Sequence, residues 1–258
     1  MLILGLETAT RITSVALVKD DQVLAEYAYG GPLKPSQVLM VLVDRALADA
    51  GIRRGQLEAL AVSNGPGSFT GLRLGLGTAK GLAYALGIPV VGISTLEAMA
   101  GPWLPVLSPD LAVVPVLWAQ RNLVYAASYA GEKTCAGGET RAAGETYGGG
   151  ETRAAGEGGF PPRCVAWEAL LAELAVNECR MVMVGEWAWE RREEIRARLG
   201  RGVEVVAPIF GFPRASMVAL LGHRRLDAAD GDPLALRPTY LRKSEAEERW
   251  EERHGSIV

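Results

Sequence analysis

Few side chains of the types that perform hydrolytic or metal chemistry occur in this sequence. The two histidines, His223 and His254, match neither H-x-x-x-H nor H-E-x-x-H spacing. A serine nucleophile would need a histidine base, and neither histidine lies near a recognisable nucleophile motif. The three cysteines contain no C-x-x-C pair, which argues against a zinc ribbon or a disulfide framework and for a reducing cytosol. A peptidase is therefore disfavoured.

A glycine-rich segment, Gly65–Gly87, reads GPGSFTGLRLGLGTAKGLAYALG and invites comparison with phosphate-binding loops. It does not fit G-x-x-x-x-G-K-[ST], and Thr70 stands where the last glycine of G-x-G-x-x-G should be. A membrane span is disfavoured because Arg73 and Lys80 fall in the middle of the apolar run and would each be costly in lipid. The glycines therefore need another explanation.

The second half of this segment has helical periodicity although Gly71, Gly75, Gly77 and Gly81 lie inside it. Each interior glycine costs a helix roughly 1 kcal/mol relative to alanine, so a close backbone approach should offset the loss. The glycines form two pairs spaced four residues apart, and each pair shares one face. Two interpretations remain open: the small faces pack inside this chain's own fold, or they pack against a second protein.

Hydrophobic periodicity along the first hundred residues predicts a mixed sheet with helices on its faces. Ser36 is suited to cap the first helix, and Ser94 with Glu97 forms a capping box for the last one. The first helix is apolar nearly all round in its first half, so it needs cover on more than one side. The predicted strands are Leu2–Leu6, Thr13–Lys19, Gln22–Tyr29, Leu57–Ser63 and Pro89–Ile93, and the predicted helices are Ser36–Ala50, Gly71–Leu86 and Ser94–Ala100.

A second set of alternating elements begins at Leu111, but a repeat interrupts it. The sequence GETRAAGE occurs at 138–145 and again at 150–157, among few large apolar side chains. This pattern predicts a surface insertion and not a solenoid. The predicted strands of this half are Leu111–Leu117, Val124–Tyr129, Met181–Gly185 and Val203–Val206, and its predicted helices are Trp167–Leu174, Trp187–Leu199, Arg214–His223 and a charged Ser244–Arg253.

Several of these motifs together resemble the TsaB (YeaZ) family. The resemblance runs through LGLETAT, the Ser36–Asp44 helix, SNGPGSFTGLRLGLGTAKGLA and GISTLEAMA, and it resumes at Tyr240-Leu241-Arg242. It is nearly continuous to about Ala100, and the GPGSFTGLR block is highly specific to the family. The family is the non-catalytic partner in bacterial synthesis of threonylcarbamoyladenosine in tRNA.

The resemblance implies an α/β fold of two related actin-like, Hsp70-ATPase-type (ribonuclease H-like) domains with mixed sheets flanked by helices. We expect a partner-binding domain at 1–105 and a divergent second domain at 106–258, with a low-complexity insertion at 131–162. Family members pair with TsaD, which transfers the threonylcarbamoyl group from its adenylate to the adenosine next to the anticodon. TsaE, a P-loop ATPase, joins them, and the isolated chain could form a homodimer.

The pairing surface of the family uses the first two helices. The resemblance therefore implies partner contacts from Ser36, Leu39, Met40, Val43, Gly71, Arg73, Leu74, Gly75, Thr78, Gly81 and Leu82. We expect Gly75→Leu to abolish pairing with TsaD and leave the monomer folded, because leucine is the better helix former. If Gly75 packs on this chain's own sheet instead, overpacking should destabilise the monomer by about 1–3 kcal/mol.

Two regions depart from the family pattern. Pro35 and Ser36 stand where the family usually has His-Ser, and proline is favourable at a helix start, so the helix should persist. In the second half the family often reads D-A-R-x-G-E-V-Y, whereas this chain has WAQRNLVY from Trp118 to Tyr125. The acid, the arginine and the glutamate of that pattern are missing, so the second-half functions of relatives are not carried over.

An enzyme of the same fold is the alternative function. Actin-fold ATPases and phosphotransferases hold metal and phosphates with an acid and small hydroxyl residues after the first strand, where this chain has Glu7, Thr8 and Thr10. However, Thr8 replaces the glycine that usually admits phosphate, and no second Asp-Gly phosphate motif appears after the predicted strand that begins at Leu111. We favour the interpretation of Glu7 as a polar strand end capped by Thr8 or Thr10. We expect no cofactor or metal of its own, ATP only at the interface of the complex, and no ATP turnover that Glu7→Ala abolishes.

Composition and charge limit the remaining classes of protein to which this chain could belong. The chain is 49% hydrophobic and 22% charged, with a formal net charge of −3, as in an ordinary soluble globular protein. Neither half is basic on average, so we expect it to reach tRNA only through the complex. The start lacks the basic region of a signal peptide, and we expect a cytoplasmic protein without membrane association.

Overall fold

A computed structural model describes residues 1–108, 111–130, 159–176, 180–226 and 231–242. The first of its two sheets has the strand order β3-β2-β1-β4-β5. The first three strands pair antiparallel, whereas β1, β4 and β5 run parallel. These strands are β1 Leu2–Glu7, β2 Thr13–Lys19, β3 Gln22–Tyr29, β4 Ala59–Gly65 and β5 Val90–Ser94.

The second sheet comes from the later part of the chain and is also mixed. Its strands are β6 Ala112–Gln120, β7 Leu123–Ala126, β8 Tyr129–Ala130, β9 Arg163–Ala166, β10 Met181–Val184 and β11 Val203–Val205. Their order is β11-β10-β6-β7-β9, with β8 also paired to β6. The helices of the described residues are α1 Pro35–Asp49, α2 Phe69–Leu86, α3 Thr95–Ala100, α4 Trp167–Val176, α5 Glu186–Glu190, α6 Arg192–Leu199 and α7 Ala215–Leu226. The predicted fold class, mixed α/β sheets flanked by helices, is confirmed.

Alternation along the strands of the first sheet sends apolar side chains to both faces. One face packs against α1 and α2 through side chains such as Leu4, Leu39 and Leu72. The opposite face packs against α3 and α7 through side chains such as Ile3 and Val218. Because α1 and α2 cover the same face of one sheet, their outward sides point in the same general direction.

The C-terminal part of the chain returns to the first sheet, which the predicted division at residue 105 does not capture. Helix α7 lies on β1, β2 and β4, and a side chain at Gly5 would collide with the Ala215 carbonyl oxygen. After α7, the Val90 N–H donates to the Gly231 carbonyl oxygen at 2.9 Å. We call residues 231–242 the C-terminal strap, because they run along the outside of this same half of the molecule.

The second sheet has its own core on the side of α4, α5 and α6, centred on the buried indole of Trp167. A smaller apolar cluster lies where α3 meets the second sheet, and it includes Leu96, Met99, Val113 and Val182. Helix α3 therefore contacts both sheets.

Several local predictions differ from the structure. Helix α1 begins at Pro35, and its cap is formed by Lys34, whose N–H donates to Gln37 Oε1 at 2.9 Å, instead of by Ser36. The Ser94 hydroxyl makes no capping hydrogen bond. The helix predicted from Trp187 is broken at Arg191 into α5 and α6. Residues 131–158 of the predicted insertion and the predicted helix Ser244–Arg253 lie outside the described residues.

Candidate partner-binding surface

Helix α2 is positioned by the turn that precedes it. The Ser68 hydroxyl accepts a hydrogen bond from the Gly71 N–H at 3.2 Å and so caps the first turn. The Ser68 N–H donates to the Ala9 carbonyl oxygen at 2.7 Å, which fastens the turn to the loop after β1. The helix ends at Gly87, whose φ of 66° is the left-handed conformation that favours glycine at this position.

The first glycine pair of α2, Gly71 and Gly75, faces inward and is buried. A side chain at Gly71 would collide with the Thr8 carbonyl oxygen, and one at Gly75 would collide with Thr8 Oγ1. Thr8 Oγ1 in turn donates to the Gly71 carbonyl oxygen at 2.8 Å. The close approach that these glycines permit is therefore to this chain's own loop, and the assignment of Gly71 and Gly75 as partner contacts is wrong.

The second pair, Gly77 and Gly81, faces outward. Both glycines are exposed, and a side chain at either would meet nothing within 4 Å. Tyr84 follows at the spacing that keeps it on the same face, and 79% of its surface is exposed. Nothing in the described part of the fold requires glycine at these two positions.

Helix α1 is likewise divided between the core and the surface. Leu39 and Val43 are each only 1% exposed and belong to the core beneath the helices, so their assignment to the partner surface is also wrong. Met40 and Val41 point outward, and 63% of Val41 is exposed. We call the outward residues of both helices the outer helical face; they are Met40, Val41, Gly77, Gly81 and Tyr84.

The other predicted partner residues are distributed around this face. Ser36 and Arg73 are exposed, whereas Leu74, Thr78 and Leu82 are half-buried. Val41, Gly77 and Tyr84 also lie on the outer helical face, although the prediction did not include them. Gly77 and Tyr84 could have been found, because they share helical periodicity with Gly81 at spacings of four and three residues.

The C-terminal strap is fastened along one side of α2. The Lys80 ammonium donates to the Leu236 carbonyl oxygen at 2.9 Å, and the Arg73 guanidinium donates to the Tyr240 hydroxyl at 3.1 Å. The Tyr240 ring stacks on Phe69 with centroids 4.9 Å apart, and the Arg73 guanidinium lies 3.8 Å from the Phe69 ring centroid. Arg73 is thus engaged with its own chain, although its sequence position suggested a partner contact.

Glu7, Thr8 and Thr10, the residues of the alternative phosphate site, lie at the end of β1 and in the loop after it, which the glycine-rich turn covers. Glu7 is fully buried; it accepts a hydrogen bond from the Ala9 N–H at 2.6 Å and another from the Ser63 hydroxyl. Burial raises the pKa of Glu7 to about 7, against the opposing effect of those hydrogen bonds. The Thr8 hydroxyl donates to the Gly71 carbonyl oxygen, and the Thr10 hydroxyl donates to the Ile12 carbonyl oxygen at 3.3 Å.

The partners of Glu7 therefore differ from the side chains that the sequence suggested, because neither Thr8 nor Thr10 caps it through its hydroxyl. No group of three or more histidine, cysteine, aspartate or glutamate side chains within the described ranges is arranged to hold a metal ion. Within the same ranges, no helix combines the length and apolarity that crossing a membrane requires.

A family model described as "TsaD: tRNA N6-adenosine threonylcarbamoyltransferase" matches residues 34–250. The chain is 29% identical to the tRNA threonylcarbamoyladenosine biosynthesis protein TsaB of Bacillus subtilis over 97% of this chain and 98% of that protein. It is 36% identical to the protein of the same name from Escherichia coli, over 52% of this chain and 61% of that protein.

The fold agrees with these sequence matches. The solved structure of YeaZ from Pseudomonas aeruginosa superposes with a TM-score of 0.63 at 26% identity, covering 93% of this chain and 99% of that one. The chain therefore belongs to the family that the TsaD model defines and, within it, to the TsaB (YeaZ) group that the GPGSFTGLR block had indicated.

Proposed function

We propose that this chain is a non-catalytic accessory subunit that pairs with a TsaD-like subunit through its outer helical face, in the synthesis of threonylcarbamoyladenosine next to the anticodon of tRNA. The observation that carries the proposal is the outward orientation of Gly77 and Gly81 in an otherwise regular helix. The names of the relatives support the pathway, because they are tRNA threonylcarbamoyladenosine biosynthesis proteins.

The energetic argument distinguishes the two glycine pairs. Two interior glycines cost α2 roughly 2 kcal/mol relative to alanine, and contacts within the described part of the chain account for Gly71 and Gly75 but not for Gly77 and Gly81. A partner backbone that approaches Gly77 and Gly81 closely would offset the cost of the second pair. The exposed apolar side chains of Val41 and Tyr84 supply surface that such a partner would bury.

The loop after β1 supports an accessory role over the alternative of an ATPase or phosphotransferase. Gly71 and Ser68 cover the backbone at Thr8 and Ala9. An enzyme of this fold would leave room for phosphate beside this loop. Glu7 has both of its carboxylate oxygens in hydrogen bonds within the chain. These side chains are used to hold the glycine-rich turn, which positions α2.

The assembly that follows from this proposal has further members. A TsaE-like P-loop ATPase joins the pair, any ATP is bound at the interface of the complex and not by this chain alone, and the isolated chain uses the same outer helical face to form a homodimer. The complex acts in the cytoplasm, where its tRNA substrate is found.

The proposal is tested by Gly81→Leu, measured for binding to the purified TsaD-like subunit. We expect pairing to be abolished while the monomer is equally or slightly more stable, by up to about 1 kcal/mol, because leucine favours the helix and its Cβ would have no described atom within 4 Å. Gly202→Leu is the matched control, since a side chain there also meets nothing within 4 Å but lies in the second half. Full-strength pairing by Gly81→Leu would exclude this face as the binding surface.

A further inference from the structure

Three tryptophans form a row from the core of the second half to its surface. Trp167 is buried, Trp187 is half-buried, and 56% of Trp118 is exposed. The ring centroids of Trp167 and Trp187 are 6.4 Å apart with the rings edge-on, and those of Trp187 and Trp118 are 6.2 Å apart with the rings 23° from parallel. The row thus ends in an indole that is supported from within and open to solvent.

Trp118 is held in place by its own hairpin. Its Nε1–H donates to the Arg121 carbonyl oxygen at 3.2 Å across the tip of the β6–β7 hairpin. The ladder is irregular between Trp118 and Gln120, and Arg121 has a φ of 49°, so the backbone bends at this point. A side chain that is already fixed loses little conformational entropy when a planar ligand stacks on it.

Arginines accompany the two outer tryptophans of the row. The acids flanking Trp187 are each ion-paired: Glu186 with Arg11, and Glu190 with Arg191 at 3.6 Å. The Arg191 guanidinium also lies 3.2 Å from the Trp187 ring centroid. Arg121 is exposed at the hairpin tip, and its guanidinium has no ion-pair partner within the part of the chain that the structure describes.

We propose that Trp118 and Arg121 form a platform that binds an unpaired base of single-stranded RNA, with the base stacked on the Trp118 indole and the adjacent phosphate paired with the Arg121 guanidinium. Aromatic faces beside arginine are the usual means of holding splayed RNA bases. Because the proposed function places this chain beside tRNA, the RNA would be an unpaired tRNA loop. The inference goes beyond the expectation that tRNA is reached only through the complex.

The test is fluorescence anisotropy of a labelled RNA hairpin with an unpaired loop, titrated with the full chain. We expect the hairpin to bind more tightly than a fully paired duplex of the same length, and Trp118→Ala to weaken its binding roughly five- to a hundredfold. Trp118→Phe should lose less, since it keeps a ring. Arg121→Ala should weaken binding and make it less dependent on salt. Phe210→Ala is the control, an exposed aromatic outside the outer helical face and the tryptophan row, and should bind RNA as the unchanged chain does.

Several results would overturn the platform. These are unchanged RNA binding by Trp118→Ala, equal binding of hairpin and duplex, no RNA binding by the unchanged chain, or competition by free AMP at the same concentration as the hairpin. Pairing of Trp118→Ala with the TsaD-like subunit is measured in parallel, with thermal unfolding as the check that the variant is folded. We expect normal pairing; lost pairing with unchanged RNA binding would make Trp118 a protein contact and contradict the inference while leaving the proposed function standing.

Discussion

The two faces of α2 carry the same residue type at the same spacing for different physical reasons. On the inner face, Gly71 and Gly75 are glycines because Thr8 of this chain occupies the space where their side chains would be. On the outer face, Gly77 and Gly81 have open space around them. One pair is thus explained by contacts among the residues that the structure describes, and none of those residues explains the other pair.

This difference shows how much a sequence pattern can establish. The glycine spacing identifies two faces and indicates that each is approached closely, but it does not say which face belongs to the core. That decision rests on the loop after β1, whose position depends on contacts between Thr8 and α2 that join residues more than 60 positions apart. The structure therefore separates an internal contact and a candidate interface that the sequence left as alternatives for the same helix.

The largest expected effect is on the inner face. Gly75→Leu should lower the free energy of unfolding by about 1–3 kcal/mol or more, because its side chain would displace Thr8 Oγ1 from the Gly71 carbonyl oxygen and press on Val62. Urea denaturation of the isolated chain measures the change. This reverses the expectation, drawn from the family resemblance, that the variant monomer would be unaffected.

Gly81→Leu is the matched variant on the outer face and should show the opposite pattern, lost pairing with an intact monomer. If Gly75→Leu were as stable as the unchanged chain, the inner face would have room that the structure does not show. The contrast between the two faces would then fail.

Most elements of the fold could be predicted from periodicity and turn residues. The strands of the first sheet and the helices α1 and α2 lie within about two residues of their predicted bounds, because their apolar spacing is regular and Gly51 and Gly87 end the helices. Capping was predicted less well. Ser36 lies inside α1, and Ser94 occupies the N-cap position of α3 but its hydroxyl makes no capping hydrogen bond. Local rules name suitable residues, but neighbouring backbone decides which of them is used.

Long-range packing was beyond such rules. The return of α7 to the first sheet and the run of the C-terminal strap along α2 join residues more than 120 positions apart, as in the ion pair of Arg225 with Glu97 at 2.5 Å. The same limit explains the misassigned site residues. Leu39 and Val43 were placed on the partner surface because the family resemblance assigns that surface to α1, and only the packing of the sheet shows which side of α1 is covered.

An effect of similar size concerns Glu7, which holds the loop beneath the inner glycines. Its pKa is raised by burial to about 7 from an ordinary value of 4.5, so the folded chain binds more protons than the unfolded chain between these values. Stability should therefore fall as pH rises from 4.5 to 7, by on the order of 3 kcal/mol, and stay lower above pH 7. Glu7→Gln should remove this dependence, because an amide does not titrate in this pH range. The variant should stay folded, because the amide oxygen can still accept from the Ala9 N–H.

Urea denaturation of both proteins at pH 5 and pH 8 measures the Glu7 effect, and the difference between the two proteins isolates it from other titrating groups. Pairing with the TsaD-like subunit should be retained by Glu7→Gln at both pH values, since Glu7 lies beneath the inner face. Equal pH dependence in the two proteins would mean that Glu7 titrates normally in the folded chain, and that the loop beneath the inner glycines does not depend on a buried, proton-binding carboxyl group.

The smallest expected effect is the most direct comparison of the two faces, since it replaces glycine by alanine on each. Gly77→Ala should raise the free energy of unfolding by about 0.5–1 kcal/mol, because it adds helix propensity and its methyl group meets no atom within 4 Å. Gly71→Ala should lower it, because the same methyl group would meet the Thr8 carbonyl oxygen. If a partner backbone approaches the outer face closely, Gly77→Ala should also weaken pairing despite its greater stability. Denaturation and pairing measurements on the same proteins would then show a higher free energy of unfolding together with a lower affinity for the partner. A Gly77→Ala chain that is less stable than the unchanged chain would place Gly77 in an internal contact and erase the distinction between the faces.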